Sequence, residues 1–445
     1  MTRTALSSVA AILLASSSHT FALNTENDWI GSGTGNVTTT TNWSLGHVPT
    51  VTEDAVFNAS STAGIKNYGT GATVGSPVTV GSLDVTATTG TYSIRNSTTG
   101  ATNAVLNLGG AGNLGNGVSG TAGDLLFAAS GSTLQLLGPN GSSGSGVLNV
   151  VLGQSGNFDA VGTIIVSSVI SESGGAFAVT KSGAGALTLS GANSYSGGTT
   201  LSAGTLNINN NSALGTGTFT VNAGTVTNTS GGAVTTTNAQ TWAGNFTIAS
   251  GSGTSALNLN GPVTLTTNVQ VAVSGTTSTP TIGGAIGGNF SLTKAGPGVG
   301  TLILGVANSY SGGTNVAAGT LVANADGTLG TGNVSLTAGN VTLTLQNGAT
   351  NNYIADSANL NIGFTTDVVN LSYSGTDTIG SLTVNGVQEA PGVYGSSTSG
   401  AANVLPEFTG TGTLTVLSAI PEPSTIALLS VGLLLGASAL RRKTS

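Results

Sequence analysis

The feature that most constrains this chain is a segment written twice. Residues 181–214 read KSGAGALTLSGANSYSGGTTLSAGTLNINNNSAL, and residues 294–329 read KAGPGVGTLILGVANSYSGGTNVAAGTLVANADGTL. The copies align with one two-residue insertion, and NSYSGGT recurs unchanged from Asn193 and from Asn308. Each copy alternates apolar and polar residues in short runs broken by Gly, Asn and Ser-Gly, the pattern of strands and turns. The alternation predicts strands at 187–189, 199–201 and 205–208, with a Gly-rich turn around Tyr195. Similar runs recur at Val263-Thr264-Leu265 and Val341-Thr342-Leu343. No stretch of the body carries an apolar period of helical length, so the expected class is all-β.

A short repeat of this kind cannot bury its apolar face alone and must stack on its neighbours. A parallel β-helix satisfies that demand, with Val, Leu and Ile inside, Thr, Ser and Asn outside, and Gly or Asn at the corners. An array of β-sandwiches shows the same alternation and stays open. With roughly 20 to 25 residues per coil, 16 to 20 coils are expected, and a rod of about 75 to 95 Å at about 4.8 Å per step.

Composition narrows the partners. Charged residues are 5% of the chain, against about 25% in ordinary soluble domains. Between Asp28 and Ser424 the only cations besides histidine are Lys66, Arg95, Lys181 and Lys294, which excludes a basic face for nucleic acid. The absence of Cys removes disulfides, thiolate metal sites and thiol nucleophiles.

The pattern K-x-G-x-G-x-L-x-L, followed by N-x-Y-S-G-G-T and G-T-L, resembles the autotransporter-associated β-strand repeat of bacterial surface proteins. The resemblance implies a right-handed parallel β-helix. In autotransporters such repeats precede a translocating outer-membrane barrel, and there is no room for one after Gly410. Self-secretion is therefore not expected.

Both termini point to export. Arg3 followed by the apolar run ALSSVAAILLA and by Thr20-Phe21-Ala22 reads as a signal peptide over residues 1–22. At the other end Pro421, Glu422 and Pro423 precede an apolar run at 425–440, closed by Arg441, Arg442 and Lys443. Those 16 residues would form a helix of about 24 Å, slightly short of a hydrocarbon core, and the cations would hold its end in the cytoplasm. This tripartite tail resembles the PEP-CTERM sorting signal. That resemblance implies a precursor anchored in the inner membrane, an exosortase-type membrane protease as partner, and delivery to the cell surface or an exopolysaccharide matrix.

The expected layout is a signal peptide at 1–22, an N-terminal cap at 23–60 and a β-helix at 61–416. A linker bearing the sorting motif follows at 417–424, then a transmembrane helix and basic tail at 425–445. The cap holds Trp29, Trp43 and His47, the sole histidine after the signal peptide, and it includes the adjacent acids Glu53 and Asp54.

Candidate chemistry is sparse. His47 sits in a turn without triad or metal-ligand spacing. Asp159 with Glu172, and Asp356 with Asp367, are the conceivable acid/base pairs for a polysaccharide lyase or hydrolase. Asn324-Ala325-Asp326-Gly327 reads as turn chemistry rather than a calcium loop. Lys181 and Lys294 open the repeats and are expected as turn-exposed cations. Tyr195 and Tyr310 could stack on sugars if exposed, or cover a Gly-Gly corner, which the identical neighbours favour. Gly197, Gly198, Gly312 and Gly313 are expected at corners needing positive φ or close backbone approach. The expectation is a non-enzymatic surface or matrix protein without cofactor or metal. An adhesin or glycan-binding module, and an enzyme on the same scaffold, are the alternatives.

Overall fold

The computed structural model describes residues 25–28, 40–42, 44–45, 48–50, 53–58, 64–68, 78–96, 103–109, 123–137, 147–249, 255–275, 279–296 and 300–417. The segment 1–22, Trp29, Trp43, His47 and everything from residue 418 onward lie outside them.

The described chain is all-β, with one short 3-10 turn at Thr40–Asn42. It visits three faces in order and returns to the first one rung higher. The first face is an 11-stranded sheet running from Thr25–Asp28 to Ile286–Gly287. The second is a 15-stranded sheet running from Gly64–Tyr68 to Val387–Gln388. The third carries a 4-stranded sheet from Val78–Val80 to Val169–Glu172, then an 8-stranded one from Val234–Thr236 to Phe408–Gly410. Pairing between rungs is parallel through Ser381–Val384, after which Val387–Gln388 turns back antiparallel. Parallel stacking is the topology of a β-helix, whereas sandwiches are built from antiparallel pairs.

Period-2 patterning sets the inside. On the second face Leu134, Ile164, Leu187, Leu206 and Val226 stack in register as one fully buried column. Each such side chain contributes about 1.5 to 3 kcal/mol on leaving water. Backbone groups pair with the rungs above and below, so the stack needs few ion pairs.

Among the described residues the longest face has 15 strands, against the 16 to 20 coils expected from the spacing. Later rungs advance 20 residues, from Thr180 to Thr200 and on to Thr220, but Leu83 to Leu126 takes 43. The 15-stranded face spans roughly 65 to 70 Å at about 4.8 Å per step. At its C-terminal end Thr376–Ile379 pairs parallel with Thr413–Val416, which pairs antiparallel with Gly392–Gly395.

Candidate functional site: the repeated corner

The strands predicted in the first copy form at Ala186–Leu189, Thr199–Leu201 and Thr205–Ile208. One further strand, Val179–Ser182, contains Lys181 itself. The two copies occupy different faces. The first places Val179–Ser182 on the first face and Ala186–Leu189 on the second. The second places Leu292–Ala295 on the second face and Thr301–Leu304 on the third. In each copy NSYSGG then crosses the next face without forming a strand. The repeat is thus a local device that interrupts whichever sheet comes next.

Asn193 and Asn308 make those interruptions possible. Asn193 Oδ1 accepts from the Ile170 N–H one rung below (2.8 Å), while Nδ2 donates to Ala213 O one rung above (2.6 Å). Asn308 repeats this with Ile286 N–H (2.7 Å) and Thr328 O (2.6 Å). One side-chain amide supplies a donor and an acceptor where a strand peptide would have supplied them.

Tyr195 and Tyr310 fill the same gaps from inside. Both are fully buried, so they offer no ring to a sugar and take the packing role that their identical neighbours favoured. The Thr199 hydroxyl donates to Leu214 O at 2.9 Å, which leaves its oxygen to accept from the Tyr195 hydroxyl at 2.6 Å. Tyr310, Thr314 and Leu329 O form the same relay at 2.5 and 2.8 Å. Burial raises both phenols far above the usual range, so they remain protonated donors.

Lys181 and Lys294 overturn the expectation of turn-exposed cations. Each points inward in an apolar column, Lys181 between Phe158 and Leu201 and Lys294 between Val271 and Val316, and each is at most 1% exposed. Lys181 Nζ donates to Ser182 O (2.5 Å) and Gly183 O (2.7 Å) of its own corner and to Ala203 O (3.1 Å) of the next rung. Lys294 Nζ donates to Ala295 O (3.0 Å) and Ala318 O (2.8 Å). Left-handed glycines follow each lysine, Gly183 (φ 73°) after Lys181 and Gly296 (φ 122°) after Lys294, and each ammonium clips its own corner to the next rung. Burial lowers both to about 8, an effect the nearby Asp159 charge partly offsets at Lys181. The K-x-G spacing was the available signal. Its partners were hidden because they are backbone atoms.

The corner glycines behave as expected. Gly198 and Gly313 have φ of 93° and 91°. A Cβ on Gly197 or Gly312 would stand 2.3 Å from the carbonyl carbon of Phe177 or Phe290.

The carboxylate pairs are not brought together by any hydrogen bond among the described residues. Asp159 is buried on the first face, whereas Glu172 accepts from Phe177 N–H (2.7 Å) and the Ser196 hydroxyl (2.6 Å) on the third. Desolvation raises Glu172, but those hydrogen bonds together outweigh it and hold the carboxyl below its ordinary value. Asp367 is spent on Val341 N–H (3.3 Å) and Phe364 N–H (3.1 Å), and burial raises its pKa. Asp356 acts electrostatically on a different acid, Asp377. Asp326 staples the next rung, accepting from Thr350 N–H (2.8 Å) and Asn352 N–H (2.9 Å). Glu53 accepts from Thr50 N–H (2.9 Å), and its neighbour Asp54 lies in the strand Glu53–Phe57. Among the described residues no group of three His, Cys, Asp or Glu could hold a metal ion.

Asp377 escaped the sequence reading. It points inward, 2% exposed, and accepts from Tyr353 and Ile354 N–H (both 3.2 Å) and Thr378 N–H (2.9 Å). Burial dominates and pushes it up to about 7, with the Asp356 charge adding to the rise. In sequence it was one more isolated acid in a strand.

Pro421, Glu422, Pro423, Arg441, Arg442 and Lys443 lie outside the described residues. Among the described residues no helix is long and apolar enough to cross a membrane.

Comparison with known proteins agrees with the repeat and with the tail. Residues 179–208 and 292–323 match the family described as Passenger-associated-transport-repeat, and residues 419–443 match the PEP-CTERM protein-sorting motif. A curated relative, the adhesin BmaC autotransporter of Brucella suis biovar 1 (strain 1330), is 35% identical over 159 residues. That alignment covers 35% of this chain and only 4% of the relative's length. No solved structure matches. The sorting motif and the passenger repeats together indicate an exported cell-surface protein, and the motif implies processing by an exosortase-type system.

Proposed function

We propose that the chain is a non-enzymatic structural rod of the cell surface or extracellular matrix. In this reading it is exported through the signal peptide, held in the inner membrane by residues 425–440, and released by cleavage near Pro421, Glu422 and Pro423. The observation that carries the structural role is how the repeats use their polar groups. Lys181, Asn193 and Thr199 bond from rung to rung inside the stack and Tyr195 bonds Thr199 at the same corner, an arrangement repeated by Lys294, Asn308, Thr314 and Tyr310. Such side chains hold a scaffold together and leave no reactive group at the repeat. The winding is taken as right-handed, in keeping with the hand of parallel crossovers.

An adhesive role is the second reading, favoured by the likeness to a named adhesin over the repeat region. The test of the first is cell fractionation of the full chain against a chain lacking residues 419–443. The full chain should reach the surface, and the truncated one should stay in the periplasm. Equal surface amounts would refute sorting by the tail.

A further inference from the structure

The middle of the rod carries no charge on its surface. From residue 173 to residue 325 the only ionisable charges are Lys181 and Lys294, and both ammonium groups are turned into the core. A surface without charge neither steers nor repels an ionic partner, and it loses little when a neutral one displaces its water.

Within that band the first face carries a regular array. Thr180, Thr200, Thr220, Thr241 and Thr264 stand opposite one another on five successive parallel strands. Their strand neighbours on both sides are buried, while these threonines are half-buried or exposed, so their side chains face out. Among the described residues no hydrogen bond occupies any of the five hydroxyls. On the second face, by contrast, Asn207 Nδ2 bonds Thr188 Oγ1 at 2.7 Å, and on the third Asn258 bonds Thr235 at 3.2 Å. There, outward polar groups satisfy one another from rung to rung. The first face instead presents free hydroxyls about 4.8 Å apart along the rod axis. The positions two residues either side of the ladder on each strand carry no charge, as at Ala178, Ser182, Gly198 and Ser202.

We infer that this threonine ladder is a binding strip for a neutral polysaccharide lying extended along the rod. An extended chain of sugar rings repeats its hydroxyls and ring oxygens at a spacing close to one rung, so several rungs can bond in succession. Each contact contributes little, because it exchanges a hydrogen bond with water, and the array acts through number. A charged polymer such as a uronate would find no counter-charge on this band. The inference deepens the surface-protein reading, which explains where such a polymer would be met. Its test is done in vitro and does not depend on sorting.

The experiment is affinity electrophoresis of the full chain, purified in detergent, through gels containing mixed-linkage β-glucan, hydroxyethyl cellulose or alginate. The wild-type chain should be retarded by a neutral glucan and not by alginate. A triple variant, Thr200→Val, Thr220→Val and Thr241→Val, keeps shape and strand preference and removes only the hydroxyls. It should melt like the wild type and lose at least tenfold in retardation. The corresponding Thr→Ser triple should retain binding, and Thr205→Val, Thr225→Val and Thr247→Val on the second face should leave it unchanged. Failure of both neutral glucans to retard the wild type would overturn the inference. So would retardation by alginate equal to that by glucan, undiminished retardation of the first-face Val triple, or equal loss in the second-face variant.

Discussion

Tyr195 donates its hydroxyl hydrogen to Thr199 Oγ1 across 2.6 Å inside a fully buried gap in the third face, and the Thr199 hydroxyl in turn donates to the Leu214 carbonyl. The relay has one direction, since the carbonyl can only accept. Tyr195→Phe should therefore leave one acceptor lone pair unmet and cost about 1 kcal/mol. Thr199→Val removes both the acceptor and the donor to Leu214 O, and should cost about 1 to 3 kcal/mol. The double variant should cost less than the sum, because the two changes destroy one shared bond. Chemical denaturation of the four proteins measures this, and strict additivity would contradict a relay. Thr199→Ser keeps the hydroxyl and loses only a buried methyl, at about 0.5 to 1.5 kcal/mol.

The lysine clips make a prediction in alkaline solution. In the folded chain Lys181 and Lys294 titrate at about 8, and in the unfolded chain near 10.5. Between those values the unfolded state binds more protons, so stability should rise as pH increases from about 8 to about 10.5. Lys181→Met with Lys294→Met should abolish that rise. At pH 7 the same double variant should be destabilised, because its apolar side chains leave buried carbonyls such as Ala203 O and Ala318 O without donors. Thermal melts across the pH series decide it. An unchanged slope in the double variant would show that the ammonium groups are solvated.

Asp377 has the opposite sign. Its folded value is raised to about 7 from an ordinary value of 3.8. The folded state therefore keeps a proton that the unfolded state releases. The associated stability is present below about pH 4 and is lost as pH rises through about 7. Asp377→Asn keeps an oxygen for the Tyr353 and Ile354 N–H groups and cannot titrate. The wild-type melting temperature minus that of Asp377→Asn should fall between pH 4 and pH 7. A flat difference would contradict the burial argument.

Gly198 occupies the left-handed region, and any Cβ there would meet Thr218 O at 2.5 Å. Gly198→Val should destabilise by about 1 to 3 kcal/mol through backbone strain alone, with additional loss from the clash. The midpoint of urea unfolding checks it, and a midpoint equal to the wild type's would mean that the corner is looser than described.

Much of the first copy was legible because strand alternation has period 2. Leu187, Leu189, Leu206 and Ile208 point inward as their spacing predicts. The strand Val179–Ser182 was hidden because its inward residue is Lys181, and a charge reads as surface until its backbone partners are known. The threonine ladder was hidden for another reason. Register between rungs depends on turns of 20 to 23 residues, as from Thr180 to Thr200 and from Thr241 to Thr264, and that variation scrambles any fixed period. Asp377 was invisible because only folding places it opposite Tyr353 and Ile354.

Export of the solenoid and its release from the tail, as proposed, would leave two processed termini. The most direct measurement is mass spectrometry of both termini of the protein recovered from the surface fraction of its native cells. The expected N-terminus lies near Leu23 and the expected C-terminus near Pro421, Glu422 and Pro423, with the segment from 425 absent. A chain found in the cytoplasm with residues 1–22 and 425–445 intact would contradict it.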